Sequence, residues 1–374
     1  MDKAATRSLI EVLEFQRYGC AHLGSAVYDR VLAATIADVR RGGACADLLV
    51  PRADGGFASA LPLRFLGAVH RLVLEGRAPA LAAHYPSAGG TPGPGLADDF
   101  LATVGEHRDT LEAGVEQGVQ TNETGRSCAL VGGFAEVARR SGRPLRLLEV
   151  GASAGLNLRW DRYWFDTGRS SLGDPDSAVR FERVWQGDGV AAGDLAGVDP
   201  GGAVLPDLGV GVEVAERAGC DRSPIDPTSD AGRLTLRSFV WPDLTARLAR
   251  LDAALDIAAR VPAPVAQSDL AGWLEDRLAA SPPGVATVVY HSSVWQYVTE
   301  DSRVRMRTAL ARAGAAATPS APLAWLSLEP AGPVSAIRMR WWPGGEDEVL
   351  GVAAYHGPVV YWGVRPPPAE AWAL

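Results

Sequence analysis

The residues best suited by type and spacing to do chemistry lie in LLEVGASAGLNL, residues 147–158. An apolar run, LRLLEV (145–150), stands between Pro144 and Gly151 and reads as a buried strand. It leads into Gly151, Ala152, Ser153, Ala154 and Gly155. These small residues permit a tight turn and let a ligand approach the main chain. A helix expected after Gly155 would offer free N–H groups to a polar or anionic group. Glu149 stands at the carboxyl end of the strand, where open α/β sheets bind ligands. A carboxylate there suits the amino group of a bound amino acid better than a phosphate.

The same letters spell G-x-S-x-G, the nucleophile elbow of serine hydrolases, with Ser153 as nucleophile. The chain order Ser153, then an acid, then His291 or His356 is compatible with that chemistry. An elbow ordinarily follows several sheet strands, however, and here the residues before 145 are mostly helical in pattern with no HGGG-like segment. A tight turn without a ligand is the third reading.

Downstream acids come in an order that favours a nucleoside cofactor. Asp221 lies in AGCDRSPID (218–226), Asp269 in PVAQSDL (264–270), and GVATVVYHSSVWQYV (284–298) ends in His291, Ser292, Trp295 and Tyr297. In a Rossmann-type S-adenosylmethionine site the glycine turn follows the first strand. An acid after the second strand grips the ribose hydroxyls, a polar residue after the third meets the adenine, and the fourth presents catalytic groups. That order assigns cofactor contacts to Glu149, Gly151, Ala152, Gly155, Asp221 and Asp269. His291 becomes the acid/base candidate, because an imidazole titrates near neutrality, and Tyr297 a pocket wall. Each has a plainer alternative. Asp221 and Asp269 suit turns or helix caps, His291 a hydrogen-bonded core position, and Tyr297 simple packing. In QTNETGRS (120–127), Asn122, Glu123 and Arg126 are candidates to face the cofactor, with Arg126 pairing a carboxylate bidentately. A capping network through Thr121 and Glu123 would use the same letters. Arg64, His70 and Arg71 share one helical pattern, as a substrate lid or a solvated face.

These residues need a scaffold. Apolar spacing predicts helices over 25–40, 62–76 and 96–119, with the loop PSAGGTPGPG (86–95) between the last two. Residues 1–118 therefore read as a helical domain, and 119–374 as a Rossmann-like cofactor domain. In the latter, strands are expected at 145–150, 210–214, 234–240, 264–267, 285–290 and 323–328. Helices at 244–259, 270–279 and 302–315 separate several of them. This alternation implies a mostly parallel sheet covered on both faces. Segments 337–342 and 349–362 look like hairpin strands forming an antiparallel edge, and a hairpin is expected near 163–165 and 179–184.

Composition excludes several chemistries. The formal net charge is -8, without the basic footprint of a nucleic-acid binder. Lys3 is the only lysine, which removes pyridoxal Schiff-base and P-loop sites. Four scattered cysteines and six histidines show no metal-ligand spacing, so no metal is expected. No apolar leader or membrane-length apolar run is visible, and the expectation is a cytoplasmic protein without membrane contact. The sequence is silent on oligomeric state.

The glycine turn resembles the first motif of class I S-adenosylmethionine-dependent methyltransferases. The whole chain is similar to the bacterial domain-of-unknown-function family 2332, through residues 61–90, TNETGRS (121–127), LLEVGASAGLNL, SFVWPD (238–243) and HSSVWQY (291–297). That family brings no activity with it. The chain departs from the methyltransferase pattern in the long separation of Gly155 from Asp221, where about 20 residues is usual. The sequence thus points to an S-adenosylmethionine-dependent transferase, expected to be a methyltransferase, acting on a small molecule. The alternatives are a serine hydrolase using Ser153 and a non-catalytic cofactor-binding protein.

Overall fold

The computed structural model describes residues 2–187, 195 and 198–367. The chain divides into two units, Met1–Thr121 with Thr228–Asp252, and Asn122–Pro227 with Ala253–Leu374. The helical unit thus recovers a segment, 228–252, that the sequence had assigned to the sheet.

Within the helical unit, the helices expected over 25–40 and 62–76 form as Ala26–Arg41 and Leu61–Leu74, and a further helix, Lys3–His22, precedes them. The single helix expected over 96–119 is two, Leu96–Glu106 and Arg108–Val115, broken at His107. Asp2 and Ser25 cap their helices by accepting backbone N–H groups, which supplies partners for otherwise orphan donors. Leu13, Val31, Leu32, Phe65, Val69, Phe100 and Leu111 form the core. The strand expected at 234–240 is instead the end of helix Asp230–Ser238, capped by Ser229. This returned segment closes the core. Asp243 accepts the Ser25 hydroxyl at 2.6 Å and the Val27 N–H at 2.9 Å. The Trp241 ring lies 6.0 Å from that of Tyr28, and Phe239 occupies the space beside Gly67, where a Cβ would come within 2.8 Å of it. His70, fully buried, donates from Nδ1 to the Ser238 carbonyl at 3.1 Å and accepts the Ser87 hydroxyl on Nε2 at 2.8 Å. The distinctive segments 61–90 and 238–243 therefore meet in one core.

The second unit holds the strands, in chain order β1 (Leu145–Val150), β2 (Trp164–Asp166), β3 (Ser171–Gly173), β4 (Arg180–Glu182), β5 (Val214–Asp221), β6 (Val265–Gln267), β7 (Ala286–Ser292), β8 (Leu323–Ala331), β9 (Val334–Trp342), β10 (Glu346–Ala353) and β11 (Val360–Trp362). Eight of them form one sheet in the order β6-β5-β1-β7-β8-β9-β10-β11, parallel from β6 to β8 and antiparallel beyond. It is a Rossmann-like sheet with an antiparallel edge. β1 is buried at every position, as a central strand covered on both faces must be. One face packs on helices Leu270–Leu278 and Glu300–Ala315 through Leu148, Val150, Val289, Leu274, Met306 and Leu310. On the other, Phe134 of helix Arg126–Ser141 meets Tyr290 edge-on at 5.0 Å. The strand expected at 210–214 begins only at Val214, because the true β5 carries Glu216 and Arg217, which pair with Arg146 and Asp161. The hairpin expected between 163–165 and 179–184 is resolved differently: β2 pairs antiparallel with β3, and parallel with β4.

Burial in the helical core pushes the His70 imidazole down from the ordinary 6.5 to about 4. The unfolded chain takes up this proton near 6.5 and the folded chain only near 4, so the stability is present above the first value and lost on acidification between the two. The loss amounts to about 3 kcal/mol. Urea titrations between these pH values should show that slope, and a His70→Gln variant should be shallower. Equal slopes would contradict a neutral buried imidazole.

Candidate functional site

β5 and β6 lie on one side of β1, and β7 and β8 on the other, so the switch point of the sheet falls between β1 and β7. The backbone is unusual at the carboxyl ends of both strands. After β1, Gly151 has φ 71, Ser153 φ 51 and Gly155 φ 67; after β7, Ser293 has φ 53. Non-glycine residues rarely occupy this left-handed region, and such strain gathers at functional sites. Gly151 is dictated twice over, by its torsion and because a Cβ would lie 2.5 Å from Val294 in the loop after β7. The two loops are therefore packed directly on each other.

The regular helix expected after Gly155 is replaced by a 3-10 segment, Leu156–Arg162, that departs from helical torsion at Arg159. Its first N–H, on Leu156, donates to Asn122 Oδ1 at 2.7 Å. That N–H is therefore already used within the chain. The turn is held from three sides. Asp221, the last residue of β5, accepts the Ser153 N–H on Oδ2 and the Ser223 N–H on Oδ1, each at 2.9 Å. Gly151 and Ala152 both donate to the Cys220 carbonyl, at 2.9 and 3.0 Å. Asn157 accepts the Ser127 hydroxyl at 2.7 Å and donates to the Glu123 carbonyl at 3.3 Å.

Glu149 is the outlier in this network. Its side chain is 2% exposed, yet its one hydrogen bond among the described residues is a 3.4 Å contact from the Tyr290 hydroxyl. That hydroxyl also reaches the Asn157 carbonyl at 3.2 Å, so a single proton serves two acceptors. Desolvation pushes the Glu149 carboxyl well above the ordinary carboxylate range; the Tyr290 contact opposes this, the Asp221 charge adds to it, and Arg159 and Arg126 oppose it. A buried carboxyl with so few partners costs stability and marks a place where a ligand donor fits.

Other expected site residues are placed elsewhere or occupied. Arg126 donates to the Ser292 carbonyl at 3.1 Å and the Tyr355 carbonyl at 3.4 Å, bracing the end of β7. Asn122 is the cap of Leu156. Asp269 is an exposed helix cap, accepting the Gly272 N–H at 2.8 Å and meeting Arg305 at 3.4 Å. Tyr297 is 51% exposed. His291 is fully buried: Nδ1 donates to Glu329 at 2.6 Å and Nε2 accepts the Trp325 indole N–H at 3.0 Å. Its ring also stacks on Trp295 at 5.1 Å. Consecutive strand residues point to opposite faces. Tyr290 meets Glu149, so His291 points away from it, and proton transfer at His291 would require one of these bonds to break. Among the described residues, no group of three or more His, Cys, Asp or Glu side chains is arranged to hold a metal ion, and no helix is long and apolar enough to cross a membrane.

Three participants escaped the sequence reading: Tyr290, Asn157 and Glu329. Glu329, which also accepts the Val294 and Trp295 N–H groups at 3.0 and 3.3 Å, had the same signal as Glu149, an acid inside an apolar strand. A nucleoside cofactor bearing an amino acid is matched by Glu149, whose carboxyl lacks partners, and by Asp221, whose carboxylate uses two of about four lone-pair sites. Asp269, Asn122 and Arg126 do not add to that match, since each already serves the protein.

Exchanging Glu149 for its neutral isostere should therefore stabilise the fold at neutral pH. Glu149→Gln is expected to gain roughly 1–3 kcal/mol, the usual cost of an unsatisfied buried group. The gain should shrink as pH falls, since the raised folded pKa means that the wild-type penalty appears only as pH rises above the unfolded value of 4.5. Thermal unfolding at neutral and acid pH checks this; a loss of stability at neutral pH would contradict it.

The comparisons with known proteins add one relationship. No curated protein and no solved structure matches the chain. A family described as an uncharacterized protein conserved in bacteria, DUF2332, matches residues 11–362. The match spans both units and every strand of the main sheet, and the chain belongs to that family.

Proposed function

We propose that the protein is an S-adenosylmethionine-dependent transferase, most simply a methyltransferase, acting on a small molecule. The observation that carries this reading is Glu149: a buried, under-partnered carboxyl at the end of β1, beside the glycine turn and the sheet's switch point. Glu149 would receive the ammonium group of the cofactor's amino acid. A cation arriving there returns the carboxyl towards its ionised form, so the cost of burying Glu149 is offset only when ligand is bound. Asp221 would use its remaining lone pairs for the ribose hydroxyls while still holding the turn through Ser153. The bound sulfonium supplies an already activated leaving group. The chain's contribution is then alignment of the acceptor and exclusion of water, and no strong protein nucleophile is needed.

One observation favours a second reading. Ser153 has the positive φ that a nucleophile elbow imposes. Of the two imidazoles that reading could enlist, His291 and His356, the first has both ring nitrogens committed, to Glu329 and Trp325, which weighs against the hydrolase.

Calorimetry should detect S-adenosylmethionine or S-adenosylhomocysteine at micromolar strength, about −8 kcal/mol. Glu149→Gln should weaken it about tenfold to a hundredfold, through loss of a charge-assisted hydrogen bond. No heat with either ligand at about 1 mM would falsify the cofactor assignment. Labelling of Ser153 by a fluorophosphonate, abolished in Ser153→Ala, would establish the hydrolase instead.

A further inference from the structure

Of the eight phenylalanines, Phe15 and Phe57 are the exposed pair, at 66% and 60%, and their rings meet edge to face at 5.2 Å. Tyr18, on the same helix as Phe15, is 71% exposed and stacks on His22 at 6.0 Å. Large aromatic rings left together in water mark an interaction surface. Their spacing says which kind. Glu11, Phe15, Tyr18 and His22 are all exposed on helix Lys3–His22 and follow one another at intervals of four, three and four residues. That is the alternation of a two-helix seam, presented on the outer side of a helix whose inner side, Leu9, Leu13 and Cys20, is buried.

We propose that this seam pairs with the same helix of a second copy of the chain, antiparallel about a twofold axis. An axis passing between residues 16 and 17 sets Phe15 against the second copy's Tyr18. The same axis sets Glu11 against the second copy's His22, so acid meets imidazole at each end of the aromatic centre. A twofold makes each contact twice, which is the self-complementarity an isologous interface requires. A parallel pairing in register would instead set Glu11 against Glu11 and His22 against His22. Phe57 broadens the apolar centre, and the ion pairs Arg17–Asp29 at 2.7 Å and Arg40–Glu14 at 2.8 Å lie beside it as a polar rim.

Sedimentation velocity of the full-length protein over about 1–100 µM should show a reversible dimer with a micromolar dissociation constant. Phe15→Glu and Tyr18→Glu, both at exposed positions, should each raise that constant at least about tenfold, with unchanged circular dichroism. Glu11→Lys should weaken the dimer, and combining it with His22→Glu should restore it, because opposite charges again face each other across the axis. A wild-type monomer at about 100 µM, a dimer indifferent to Phe15→Glu and Tyr18→Glu, or a charge exchange that fails to restore association would each overturn the proposal.

Discussion

A carboxyl group buried at the carboxyl end of the central strand is the constraint around which the sheet unit is arranged. Glu149 is fixed by β1, whose every residue is buried, and only 2% of its surface is left to solvent. Two arginines, Arg126 and Arg159, lie near enough to act on it electrostatically, and both also donate to backbone carbonyls. The molecule thus moderates the penalty without removing it. A fold under no other requirement would place an apolar residue here, as it does at Leu147 and Leu148. A buried carboxyl beside a strained turn is what the proposed binding role of Glu149 would account for.

The turn owes its shape to packing between loops. Gly151 accommodates Val294, Gly155 accommodates Val265, and Gly219 of β5 accommodates Ala152, each where a Cβ would come within 3 Å. These contacts join β1 to β5, β6 and β7, and β1 and β7 are the two strands that border the switch point. The segment 122–127 completes the support, through Asn122 on Leu156 and Arg126 on Ser292. A sequence rich in Asn, Glu, Thr and Arg beside a sheet is thereby explained as a buried brace for the site.

How much of this was legible in the sequence depended on whether local pattern and tertiary role agreed. β1, β7 and β8 were readable because central strands are continuous apolar runs. β5 was misplaced, because Glu216 and Arg217 make a genuine strand look like a loop until their partners Arg146 and Asp161 are known. Residues 234–240 alternate as a strand would, yet Ser229 caps a helix through them, and that capping signal was the better guide. Glu149 and Asp221 were identified by their places at strand ends, which survive insertion of a whole small sheet between them. His291 was singled out by the same logic, but its neighbours are set by the face it occupies, and only the register of β7 against β8 brings it to Trp325 and Glu329.

The ionisation of Glu149 decides its proposed role, and infrared difference spectroscopy reads that group directly. Wild-type protein at neutral pH should show a protonated-carboxyl stretch that is missing from Glu149→Gln and that disappears when S-adenosylmethionine is added. A carboxyl band that persists unchanged under saturating cofactor, or its absence from the unliganded wild-type protein, would contradict the assignment of Glu149 as the cofactor's anchor.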